Sequence, residues 1–104
     1  MTDATLDSIL NIHIYLKKLD INGCDSLSNQ SLEVLTRLKE LTFLDISWIR
    51  NVNDELLKKL LEGMVDLESC LIYGCHELSS FCLDRVWKNK GDGRVIKILG
   101  NEFS

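Results

Sequence analysis

An α/β solenoid is the fold class that this sequence predicts: a short right-handed horseshoe with parallel concave strands and helices on its convex side. Three observations carry that expectation. A strand-like apolar pattern returns at intervals of 25 or 26 residues, helix-capping residues follow each copy, and apolar residues at helical spacing follow the caps.

The strand pattern is clearest in Leu16-Lys17-Lys18-Leu19-Asp20-Ile21-Asn22-Gly23-Cys24, which reads LxxLxLxxC. Leu41-Thr42-Phe43-Leu44-Asp45-Ile46-Ser47-Trp48-Ile49 repeats it 25 residues later, and Leu67-Glu68-Ser69-Cys70-Leu71-Ile72-Tyr73-Gly74-Cys75 after another 26. A last copy reads Val95-Ile96-Lys97-Ile98-Leu99-Gly100-Asn101, with Ile96 at the inward position of Leu19, Leu44 and Cys70. The pattern is that of a cysteine-type leucine-rich repeat.

Behind each strand, Leu27-Ser28-Asn29, Val52-Asn53-Asp54 and Leu78-Ser79-Ser80 place an apolar residue before side chains whose oxygens cap helices. Leu32/Leu35/Leu38, Leu57/Leu60/Met64 and Leu83/Val86 then give the apolar faces of the helices. One unit cannot bury its own apolar face, so neighbours must stack. The expected division is a truncated helix over 1–15, repeats over 16–40, 41–66 and 67–92, and a terminal strand over 93–104. In the first segment Leu6, Ile9 and Ile12 stand 26 residues before Leu32, Leu35 and Leu38, and Thr2-Asp3 stands 26 before Ser28-Asn29. The frame thus opens on a helix without its strand and closes on a strand without its helix. That predicts the C-terminal part of a longer array, or a reduced protein capped by a partner, with the edge strand around Leu16 to Asn22 open to self-pairing or partner addition.

Composition bounds the chemistry. The 104 residues are 45% hydrophobic, enough for one core, and 12 basic against 16 acidic residues give a net charge of −4. That balance argues against direct nucleic-acid binding, which needs a concentrated positive surface. No apolar run approaches a membrane span, and the acidic N-terminus lacks a secretory or transit pattern, so cytosol or nucleus is expected. Cys24, Cys70, Cys75 and Cys82 lack metal-site spacing, with only His13 and His76 to complete a site, so no metal is expected. The thiols read as structural: Cys70 in the core, Cys24 and Cys75 bonding the backbone at the bend after the strand where Asn101 stands in the last copy, and Cys82 beside a helical core position. Gly23, Gly74 and Gly100 precede that bend, where a side chain would be crowded. Trp48 breaks the rule, as either a local packing variation or an exposed aromatic contact.

Alternate strand residues point to the concave face. The expected columns are Lys18, Phe43, Ser69, Val95; Asp20, Asp45, Leu71, Lys97; and Asn22, Ser47, Tyr73, Leu99. A partly apolar surface rimmed by charge marks an interaction site, and Phe43, Asp45, Ser47, Ser69, Leu71, Tyr73, Lys97 and Leu99 are the partner-binding candidates. Asp20 and Asp45 stand on adjacent strands, where they repel unless a cation approaches. Neither they nor the adjacent Cys75 and His76 come with a nucleophile–base arrangement, and phosphate-loop and HExxH motifs are absent. No enzyme activity, catalytic residue or cofactor is expected.

The stretch Leu44-Asp45-Ile46-Ser47-Trp48-Ile49-Arg50, with Asn53-Asp54, Leu71-Ile72-Tyr73-Gly74-Cys75 and the strand Val95 to Gly100, resembles the C-terminal repeats of the F-box-like leucine-rich-repeat proteins. Within them it is most similar to the repeat subunit of the fungal and plant global-genome nucleotide-excision-repair ubiquitin ligase, over residues 16–101. The resemblance implies a nuclear protein-interaction module. Its partners would be a Snf2-type ATPase, a cullin and an elongin-C-like adaptor. Family members also carry an adaptor-binding region and further repeats that have no counterpart in this sequence, which puts ligase assembly by this chain alone in doubt. Two alternatives remain open: a fragment of an F-box/LRR substrate adaptor in cell-cycle ubiquitination, with a Skp-type adaptor, or a small leucine-rich-repeat assembly factor.

Overall fold

The computed structural model describes residues 2–75, 77–78, 86–88 and 91–100. Helix α1 spans Asp3–Ile12, strand β1 Lys18–Asp20, helix α2 Asn29–Glu33, strand β2 Phe43–Asp45, helix α3 Asp54–Gly63, and strands β3, β4 and β5 cover Ser69–Leu71, Val86–Lys88 and Val95–Leu99. The sheet order is β1-β2-β3-β5-β4. Its first four strands run parallel, and β4 closes the far edge antiparallel to β5. The result is a mixed α/β fold with a mostly parallel sheet.

Each helix starts where a side-chain oxygen takes up a free first-turn N–H. The Thr5, Ser31 and Leu56 amides donate to the side chains of Thr2, Ser28 and Asn53 at 3.3, 3.2 and 2.9 Å. Asp54 and Glu55 add negative charge to the first turn of α3, where the helix dipole favours it. One triplet spacing nevertheless has two outcomes. Leu32, Leu35 and Leu38 are all buried because α2 tightens into a 3₁₀ segment, Val34–Arg37, whose three-residue turn keeps i, i+3 and i+6 aligned. α1 stays α-helical to its end, so Leu6 and Leu10 face inward and Ile12, expected on that face, is 73% exposed.

Between β1, β2 and β3 the register follows the repeat: Leu19 opposes Leu44, and Leu44 opposes Cys70. The last strand departs from it by two residues. Cys70 pairs with Ile98 rather than Ile96, and Ser69 with Lys97 rather than Val95. Two residues is one full pleat period, so the shift keeps Ile96 and Ile98 in the core and Val95, Lys97 and Leu99 on the other face. Val86, expected on a helix behind β3, lies in β4 opposite Lys97 and is 52% exposed. Ser79, Ser80, Cys82, Leu83, His76 and Asn101 lie outside the described residues.

Past the strands the ladder continues. The Ile21, Ile46 and Ile72 amides donate to the carbonyls of Asp45, Leu71 and Leu99 at 3.0, 3.0 and 2.7 Å. One bond therefore recurs at every step of the stack. Leu6, Leu32, Leu44, Leu57, Cys70 and Ile98 belong to a single buried cluster between sheet and helices. Arg94 ties the strand end of the molecule to its helical side. Its guanidinium donates to the Met64 and Val65 carbonyls at 2.9 and 3.2 Å, just past the end of α3, and is oriented by Asp92 at 2.8 Å.

Candidate functional site: the open face of the sheet

The side of the sheet away from the helices carries the side chains that alternate with the core positions. Register places Lys18, Phe43, Ser69, Lys97 and Val86 in one row, and Asp20, Asp45, Leu71 and Leu99 in the next. Val95 and Lys88 oppose each other on the last two strands. Phe43, Ser69, Leu71, Tyr73 and Leu99 are half-buried and Lys97 is exposed, so these six of the expected partner-binding residues do come together at the surface. Lys97 sits beside Ser69 rather than beside Leu71, a consequence of the shifted register.

Asp45 and Ser47 are the two corrections. They are 8% and 1% exposed, so neither is available to a partner in the way an open column predicts. Both are used to finish the backbone where the strands end. The Ser47 amide donates to Asp45 Oδ1 at 2.9 Å, and the Tyr73 amide of the next turn donates to Ser47 Oγ at 3.0 Å. Asp20 does the same locally, accepting the Asn22 amide at 2.9 Å while remaining exposed. The two aspartates are thus strand-end caps rather than a bare pair of facing carboxylates.

The bend beyond the strands explains the glycines and cysteines. Gly23, Trp48 and Gly74 occupy equivalent places with φ of +76°, +60° and +68°, a left-handed conformation that glycine adopts without steric cost. At Gly23 there is open space around a would-be Cβ, so conformation and not crowding selects glycine. At Gly74 both apply, because the Trp48 indole fills the place of the missing side chain. Trp48 holds the costly conformation while 53% exposed as a residue, and with Asp25, Arg50 and Gly74 it lines a shallow cavity of about 210 Å³. The fully buried Cys75 thiol donates to the Ile46 carbonyl of the preceding turn at 3.3 Å. Cys24, half-buried, donates to the Asn22 carbonyl within its own turn at 3.9 Å. Burial pushes the Cys70 thiol well above the ordinary thiol range, reinforced by Cys75 and Asp45 beside it, so it remains a protonated core group.

Three cations stand on the open face, Lys18 and Lys97 as strand alternation predicts and Lys88 in addition. Lys18, Lys88 and Lys97 are exposed, and no ion pair among the described residues engages them. Lys88 reads from the sequence as the start of a polar loop, and β4 brings it to this face. At the opposite edge, Ile12, His13, Tyr15, Leu16 and Lys17 line a second cavity of about 340 Å³, with Tyr15 71% exposed. Among the described residues no cluster of three or more His, Cys, Asp or Glu is placed to hold a metal ion, and no helix is long and apolar enough to cross a membrane.

No protein-family model matches the chain. Over 75 residues it is 33% identical to the DNA repair protein rhp7 of Schizosaccharomyces pombe, a match covering 69% of this chain and 13% of that protein. In fold it is similar to a chain of the yeast Rad7 and Elc1 complex, with a TM-score of 0.75 at 19% identity, over 98% of this chain and 24% of that one. It therefore corresponds to a short part of each of these longer proteins. Sequence and fold together make this a Rad7-related, leucine-rich-repeat-like chain.

Proposed function

We propose that the chain is a short leucine-rich-repeat solenoid that serves as a protein-interaction module of a nuclear DNA-repair, ubiquitin-ligase-associated assembly, without catalytic activity of its own. The observation that carries this reading is the open sheet face, where half-buried Phe43, Leu71, Tyr73 and Leu99 adjoin exposed charge, on a chain related to a DNA repair protein. A surface of that composition suits a partner polypeptide. The fold likeness to a chain of the Rad7 and Elc1 complex supports an elongin-C-like adaptor as a partner of the assembly. A Snf2-type ATPase and a cullin complete the proposed set.

The test is affinity purification from nuclear extract with the wild-type chain and with Leu71→Asp. Recovery of the adaptor and the ATPase by wild type alone is the expected result. Recovery by neither protein, or equally by both, overturns the assignment to this face.

A second reading concerns the β1 edge. Ile12, Ile14 and Tyr15 are 73%, 44% and 71% exposed beside this strand, which among the described residues pairs only with β2. An open strand edge flanked by apolar side chains favours self-association or addition of a partner strand. Sedimentation showing a monomer at all concentrations, for wild type and Tyr15→Glu alike, counts against self-association.

A further inference from the structure

We infer that the open face of the sheet selects an extended acidic segment whose sheet-facing side chains alternate between carboxylate and apolar. This rests on the face being the binding surface proposed above, and specifies what it binds.

The charge of this face differs in sign from that of the molecule. The chain carries a net charge of −4, yet the exposed charges on the strands of this face are Lys18, Lys88, Lys97 and the single carboxylate of Asp20. The other acid of the face, Asp45, is buried and occupied as a strand cap. Asp20 has one oxygen committed to the Asn22 amide. The face is therefore locally positive on a negative molecule. Its cations are not used internally: among the described residues Lys17, Lys58 and Lys59 form ion pairs, whereas Lys18, Lys88 and Lys97 form none.

Spacing gives the partner its pattern. Lys97 shares a row with Ser69 and Phe43, Leu99 pairs with Leu71 in the next row, and Val95 opposes Lys88. Each cation thus lies within one or two strand steps of roughly 4.8 Å from a half-buried or exposed apolar side chain. From Lys97 to Lys18 is three such steps, on the order of 14 Å, which an extended peptide spans with about four residues. A peptide with carboxylates four residues apart and an apolar residue midway between them turns all three side chains to the sheet, the carboxylates toward Lys97 and Lys18 and the apolar group toward Phe43 and Leu71. A nucleic-acid backbone fits less well: three separated lysines make a weak polyanion site, and the aliphatic groups between them have no phosphate or sugar counterpart.

The probes are labelled twelve-residue Glu, Ser and Lys peptides, made of three Glu-Ser-Leu-Ser, Ser-Ser-Leu-Ser or Lys-Ser-Leu-Ser repeats, with a twelve-nucleotide single strand for comparison. All are titrated into the full chain at low and physiological salt. The Glu peptide is expected to bind at least tenfold more tightly than the Ser peptide, with a preference that shrinks as salt rises. The double variant Lys18→Glu/Lys97→Glu should abolish the preference. Ser69→Glu, which changes a half-exposed polar side chain between Phe43 and Lys97, should weaken the Glu peptide at least fivefold while leaving the circular dichroism spectrum unchanged. Equal affinity for the Glu and Ser peptides overturns the acid selectivity and leaves the interaction face standing. Binding indifferent to both Ser69→Glu and Leu71→Asp overturns the face itself. Tighter binding of the oligonucleotide than of any peptide, or binding of no peptide, also overturns the inference.

Discussion

The indole of Trp48 stands where a Cβ on Gly74 would have to be, and both residues hold the left-handed conformation. Each turn of the stack is thereby fitted to its neighbour. Gly74→Ala must displace the ring and impose an L side chain at a φ of +68°, so a loss of about 2–4 kcal/mol is expected. Trp48→Gly removes the ring and the backbone strain together, and its own effect should lie within about 1 kcal/mol of neutral. Added to Gly74→Ala, it should recover at least about 1 kcal/mol by freeing the space. Denaturant unfolding of the two single variants and the double variant measures this coupling, and strict additivity would show that the ring does not occupy the glycine's space.

Asp45 and Ser47 are expected to matter for stability before they matter for binding. Ser47→Ala leaves the Tyr73 amide without its acceptor, and Asp45→Ala does the same to the Ser47 amide. A loss of about 1–2 kcal/mol for each is expected from chemical denaturation. Tyr73→Ala, on a half-buried residue of the open face, should weaken partner capture in the affinity purification. If Ser47→Ala left the unfolding midpoint unchanged and abolished capture, it would return Ser47 to the binding surface.

The thiols should separate by place in the stack. Cys70 and Cys75 are fully buried, whereas Cys24 is half-buried at the first turn. With Ellman's reagent at pH 8, Cys24 should react at least tenfold faster than Cys70 and Cys75, measured on single-cysteine variants. Denaturation should erase the difference.

Asp3 supplies a pH dependence. Its carboxylate accepts the Ser28 backbone N–H at 2.8 Å, and this bond, with smaller help from the Ser28 and Ser31 side chains, lowers its pKa below 3.8. A carboxylate whose pKa is lower folded than unfolded adds stability above the unfolded value. That contribution disappears as the pH falls through the folded one. Asp3→Asn should therefore have a lower Tm than wild type at pH 7. Thermal melts between pH 7 and pH 2 should show the gap closing only below about pH 4.

Much of this architecture is legible without coordinates. The recurrence of Leu19, Leu44 and Cys70 sets three parallel strands and their register, since any odd slip would turn the apolar set out of the core. Thr2, Ser28 and Asn53 mark the helix starts because a short side-chain oxygen bonds a neighbouring amide locally. Six of the eight face residues follow from strand alternation alone.

What remained belongs to the tertiary structure. Ile96 and Ile98 have the same parity, so alternation cannot choose between them as the partner of Cys70, and packing of the last strands does. Leu6/Ile9/Ile12 and Leu32/Leu35/Leu38 share a spacing, but only the second set lies where the chain tightens into a 3₁₀ turn. Asp45 and Ser47 have the composition of a recognition surface, and only the bend after β2 turns their oxygens to backbone amides. Period and capping are local, so the repeat, the helix starts and the first three strands can be read from residue order. The tertiary structure decided the final register, the burial of Asp45 and Ser47 and the assembly of the lysine-flanked face, because these depend on neighbouring turns that a linear pattern does not contain.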